Sequence, residues 1–106
     1  MKVYDGELTF EVDSFETTYQ FRLELTTDDM RLIERLQPIV AENGLYEATM
    51  FHDCLIISEE GDQTPQRTEF CILHVQESFI RVTGVLKHDC HTFSTGLISL
   101  DELEEE

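Results

Sequence analysis

Positive charge is what this chain has least of. Seven Lys and Arg residues stand against 23 Asp and Glu, for a net charge of −16. Nucleic acids and anionic lipids are held by Lys and Arg, so this balance argues against direct binding to either. Long apolar runs are missing too. Nothing approaches the 20 or so consecutive apolar residues that span a membrane. The first residues, MKVYDGELTF, lack the apolar core of a secretion signal and begin as a strand. These absences predict a cytoplasmic protein. Three cysteines cannot all pair internally, which fits a reducing compartment. The five glycines are scattered, so no phosphate-cradling loop is present. There is no Cys-x-x-Cys pair, no internal repeat and no linker. A chain of 106 residues with 41% hydrophobic content is long enough for one domain with a core of its own. That domain is expected over residues 1–100.

One stretch has a clear helical period: Thr26 to Gly44. Met30, Ile33, Leu36, Ile39 and Val40, with Leu32 beside them, recur at steps of three and four. Thr26 or Thr27 caps the start, and Thr26 with Asp29 has capping-box spacing. Asp28 and Asp29 suit the positive end of the helix dipole. Asn43-Gly44 marks the stop. Pro38 cannot donate to the carbonyl of Glu34, so a kink or a fresh turn is expected there.

The flanking segments have strand periods. Lys2–Val12 and Thr17–Leu25 alternate apolar and polar residues, which predicts an antiparallel hairpin with one wet face. A four-residue loop at 13–16 would set Phe10 against Tyr19 and Leu8 against Phe21. A two-residue turn at Asp13-Ser14 keeps the faces and moves the pairs. Residues 45–58 break their own alternation near His52-Asp53-Cys54: either one long strand is bent or bulged there, which is the expectation, or the chain turns and makes two short strands. Residues 59–66 form a polar loop. Thr68–Val75 is apolar on both faces, as in a central strand covered on both sides by sheet closure or by a homodimer. Residues 79–87 and 91–100 give the last strands, the second weakened by Gly96. The tail at 101–106, DELEEE, is a like-charge run expected to be frayed or disordered. The fold class expected is α+β, in the order ββαββββ. A curved antiparallel sheet of five to six strands would carry one main helix.

Function has to be read from charge, because no catalytic or cofactor motif is present. The wet face of the hairpin carries Asp5, Glu7, Glu11, Asp13, Glu16 and Glu24, relieved mainly by Arg22. The loop adds Glu59, Glu60 and Asp62. Carboxylates two residues apart on a strand are about 7 Å apart. Such a row can stand in for a nucleic-acid backbone and meet a basic protein surface. The expected function is therefore non-catalytic: an inhibitor of a basic, nucleic-acid-handling protein, such as a phage anti-defence protein. An immunity protein for a nuclease toxin would use the same physics. An ordinary solvated face is the bland alternative.

A third class rests on histidine and cysteine. His-Asp-Cys occurs at 52–54 and again at 88–90. On extended strands His52 with Cys54, and His88 with Cys90, would share a side and could hold zinc. The spacings match no zinc finger or ribbon, and Cys71 and His74 fall on opposite faces. A cysteine nucleophile, Cys54 or Cys90, would need a depressed thiol pKa, and the surrounding acids would raise it instead. No cofactor is expected.

Overall fold

The computed structural model describes residues 1–12, 15–59, 64–85 and 92–106, with side-chain placements for all of these but 9–12, 15–17 and 59. The class is α+β: one helix and antiparallel strands, in roughly the expected order. The strands form two sheets. The first runs β10 (Glu104–Glu105), β1 (Lys2–Val12), β2 (Phe15–Leu25), β4 (Leu55–Glu59), β5 (Gln66–Arg67). The second runs β3 (Glu47–Phe51), β6 (Cys71–Val75), β7 (Phe79–Val85), β8 (Thr92–Ser94), with β9 (Ile98–Ser99) also paired to β7.

The hairpin takes the two-residue register. Val12 pairs with Phe15, Leu8 faces Tyr19, and Phe10 is opposite Thr17, so the pairs of a four-residue loop do not form. Gly6 lies opposite Phe21. A Cβ at Gly6 would come within 2.6 Å of the Phe21 ring, so only glycine leaves room for that buried side chain. Phe21, Leu23 and Leu25 turn inward and are buried.

The helix α1 (Thr27–Asn43) is closed at both ends by its own sequence. The Asp29 N–H donates to Thr26 Oγ1 at 3.2 Å, and the Thr26 N–H donates to Asp29 Oδ2 at 2.7 Å. This is a capping box with aspartate in the glutamate place. Gly44 ends the helix at φ 66°, donating its N–H to the Val40 carbonyl. The helix runs unbroken through Pro38 rather than restarting there. It rests on β2 of the first sheet and β6 of the second, burying Ile33 and Val40. Ile39, expected on the inner face, is exposed. Both sheets turn their inner faces and the helix toward one core, centred on Leu23, Ile33, Leu55, Leu73, Ile80, Val82 and Phe93.

Two expectations are corrected. Residues 45–58 are not one bulged strand. The chain leaves the second sheet after Phe51 and enters the first at Leu55, with His52-Asp53-Cys54 as the crossover. Cys54 and Leu55 are consecutive and both buried where the chain passes between the two sheets. The tail is not frayed. A 3₁₀ turn at Leu100–Glu102 is capped by Ser99, Leu103 is buried in the core, and β10 pairs with β1. The Glu106 N–H donates to the Met1 carbonyl. One leucine within the acidic run anchors the whole segment.

Candidate interaction surface

The outward side of the first sheet follows from its register. Asp5 is opposite Arg22, Glu7 is opposite Gln20, and Val3 lies between Glu24 and Glu104. On the far side of β2, Ile56 is opposite Arg22 and Ser58 opposite Gln20, with Arg67 next to Ile56. Residues directly opposite share a face. Asp5, Glu7, Glu24 and Glu104 therefore stand on one surface with Arg22 and Arg67 among them, and Glu106 reaches it by pairing with Arg22.

The two arginines organise these acids. Arg22 lies 3.6 Å from Asp5 and 3.6 Å from Glu24, and contacts Glu106. Arg67 reaches Glu24 at 3.2 Å and donates to the Asp53 carbonyl at 3.1 Å. The Arg22 guanidinium is held in its charged form above all by the Glu106 hydrogen bond. At the sheet edge, Glu105 pairs at 3.3 Å with both the Met1 amino group and Lys2. Those two cations lower its pKa. Glu7 makes no ion pair among the described residues.

A shallow depression of about 570 Å³ opens on this face, lined by Asp5, Gly6, Glu7, Gln20, Phe21, Arg22, Ile56, Ser58 and Pro65. Its lining is apolar at Ile56 and Pro65 and acidic on the β1 side at Asp5 and Glu7. An aliphatic stem with a cationic head matches that division.

Of the acids picked out from sequence, Asp5, Glu7 and Glu24 come together here. The backbones of Glu11 and Glu16 are directly paired further along the hairpin, and Glu59 is paired by its backbone with Tyr19. Asp13, Glu60 and Asp62 lie outside the described residues. Glu104 and Glu106 were not anticipated, because the tail was expected to be free. Leu103 was the available signal.

The outward side of the second sheet differs. Its strand positions among the described residues are Ala48 and Met50, then Ile72 and His74, then Phe79, Arg81, Thr83 and Val85, then Thr92, Ser94 and Ser99. None is a carboxylate. Met50 is 68% exposed and Tyr46, just before β3, is 42% exposed. Tyr46 stacks on His74 with ring centroids 5.0 Å apart, and Arg81 donates to the Tyr46 hydroxyl at 2.7 Å. Burial, then the Arg81 charge, lowers the His74 pKa. His74 Nδ1 and Arg81 Nε are buried without hydrogen-bond partners among the described residues.

The zinc arrangement does not form at His52 and Cys54. The crossover is not extended strand, and the two side chains part. His52 Nε2 sits 2.8 Å from Asp29 Oδ2, while Cys54 is buried beside Cys71. Among the described residues no group of three His, Cys, Asp or Glu side chains converges as a metal site. His88 and Cys90 lie outside the described residues. The Cys54 thiol is pushed up, by its hydrogen bond to Cys71 and by burial. Among the described residues no helix is long and apolar enough to cross a membrane. Comparison with known proteins gives no match: no family model fits the chain, and no curated protein and no solved structure is similar to it.

Proposed function

We propose that this is a non-catalytic, cytoplasmic binding protein that blocks a basic surface on a nucleic-acid-handling protein, using the outward face of its first sheet. The observation that carries this is the depression beside Glu7. It joins an apolar lining to a carboxylate with no ion pair among the described residues, on a face where Asp5, Glu24, Glu104 and Glu106 outnumber Arg22 and Arg67. An arginine or lysine of the partner would lay its stem over Ile56 and its charge against Glu7. Arg22 and Arg67 hold their acids in a fixed array, which lowers the ordering cost on binding. With a net charge of −16, association is steered by charge and weakens with salt. Inhibition of a defence nuclease and immunity to a toxin nuclease both fit this physics.

Among the described residues the outward strand positions of the second sheet carry no carboxylate, which favours a second contact, a homodimer. Two chains of charge −16 repel. They meet at least cost where neither presents an acid, and Met50, Ile72 and Val85 supply apolar area there.

The test is capture from lysate at low salt, followed by a salt gradient and identification of what elutes. Elution of a basic nuclease or nucleic-acid-binding protein at rising salt supports the proposal. Capture of no basic protein from lysates of the native host counts against it.

A further inference from the structure

Cys54 and Cys71 face each other across the seam between the sheets. Cys54 closes the crossover into β4 of the first sheet, and Cys71 opens β6 of the second. They are 1% and 0% exposed, and their thiols are close enough for each to shift the other's pKa. Thr68 Oγ1 lies 3.3 Å from Cys71 Sγ and also donates to the Leu55 carbonyl at 3.3 Å. The Thr68 N–H donates to the same carbonyl at 3.1 Å. Thr68 is itself confined. A Cβ on Gly84 would lie 2.8 Å from its methyl, so the hydroxyl is held at the seam. Two buried cysteines used only as small hydrophobes need neither mutual contact nor a fixed hydroxyl beside them.

We propose that Cys54 and Cys71 are an oxidisable dithiol, the site of a disulfide that joins the two sheets covalently. The proposal is independent of the binding function, and the co-reactant is hydrogen peroxide. Cys71 is the nucleophile. The Cys71 pKa is lowered, first by its interaction with Cys54 and against the effect of burial, whereas that of Cys54 is raised by the same interaction and by burial. The Cys71 thiolate attacks one peroxide oxygen. The O–O bond breaks, Cys71 becomes a sulfenic acid, and hydroxide leaves and is protonated to water. Cys54 then loses its proton and attacks Cys71 Sγ, so that the S–S bond forms as the S–O bond breaks and a second water departs. In sum two thiols lose two electrons and two protons, and one peroxide becomes two waters. Both sulfurs are buried, so reaction waits on local opening of the seam and is slower than at an exposed thiol.

The experiment uses the full chain carrying Cys90→Ser, reduced, then exposed to hydrogen peroxide, quenched, unfolded and alkylated. Mass spectrometry should show a loss of about 2 Da, no alkylation, and one non-reduced peptide pair joining residues 54 and 71. Closing this loop constrains the unfolded chain, so Tm should rise by about 10 °C and fall back with reductant. With Cys54→Ala added, Cys71 has no resolving thiol and should gain about 32 Da as sulfinic acid. Three results would overturn the proposal. The pair could stay fully alkylatable at peroxide doses that oxidise free cysteine. It could take up oxygen while Cys54 is present. Or the cross-linked protein could melt below the reduced one.

Discussion

The two sheets share one core and present opposite faces to solvent. The first shows acids held in place by Arg22 and Arg67. The second shows Tyr46, Met50, Ile72 and His74, with no acid at its outward strand positions among the described residues. A protein selected only for solubility would spread 23 acids over both. Among the described residues the outward strand positions of the second sheet carry none of them, so the net charge understates how strongly these two faces differ. Folding increases the contrast, because β10 carries Glu104 and Glu106 to the acidic side.

The largest way to break this contrast is to release the tail. Leu103→Ala removes the buried anchor of β10 and should cost about 2–3 kcal/mol in urea unfolding. Hydrogen exchange should then quicken in β10 and along the adjoining edge of β1, while β6 and β7 keep their protection. A smaller effect is expected from Met50→Glu, which puts an acid at an outward position of the second sheet. Light scattering at rising protein concentration should show the wild type associating and the variant remaining monomeric. Thermal stability should change little, since Met50 is mostly exposed. The smallest effect is a pH dependence. The folded pKa of His74 lies below its ordinary 6.5, so the unfolded chain takes up this proton first. Its contribution to stability is present above pH 6.5 and is lost as pH falls from 6.5 through the folded value. His74→Phe keeps the ring against Tyr46 without the titration. The stability of the variant relative to wild type should rise between pH 7.5 and 5.5, measured as urea midpoints.

What was legible in the sequence was local. The Thr26–Asp29 box and Gly44 act within a few residues, and the helix begins and ends as they dictate. The alternation in β1 and β2 identified the faces, but the register waited on whether two or four residues form the turn. Of the apolar run at 68–75, residues 71–75 form a strand paired on both edges, with Ile72 and His74 half-buried on its outward face and not covered like the inward one. What was illegible depended on the second sheet. His52-Asp53-Cys54 looks like a bulge until there is another sheet to cross to. Cys54 and Cys71, 17 residues apart in sequence, meet only through that crossing. The tail misled because five acids outweigh one leucine in composition, whereas in packing the leucine decides.

The contrast between the faces is tested most directly by capture from lysate with three proteins in parallel: wild type, Asp5→Lys with Glu7→Lys, and Met50→Glu. Neither Asp5 nor Glu7 is buried, so the double variant should fold. The basic partner should bind wild type and Met50→Glu alike and elute at the same salt. Its binding to the double variant should fall about 100-fold or more. Equal capture by the double variant, or loss of the partner from Met50→Glu instead, would place the binding surface on the other sheet and contradict this account.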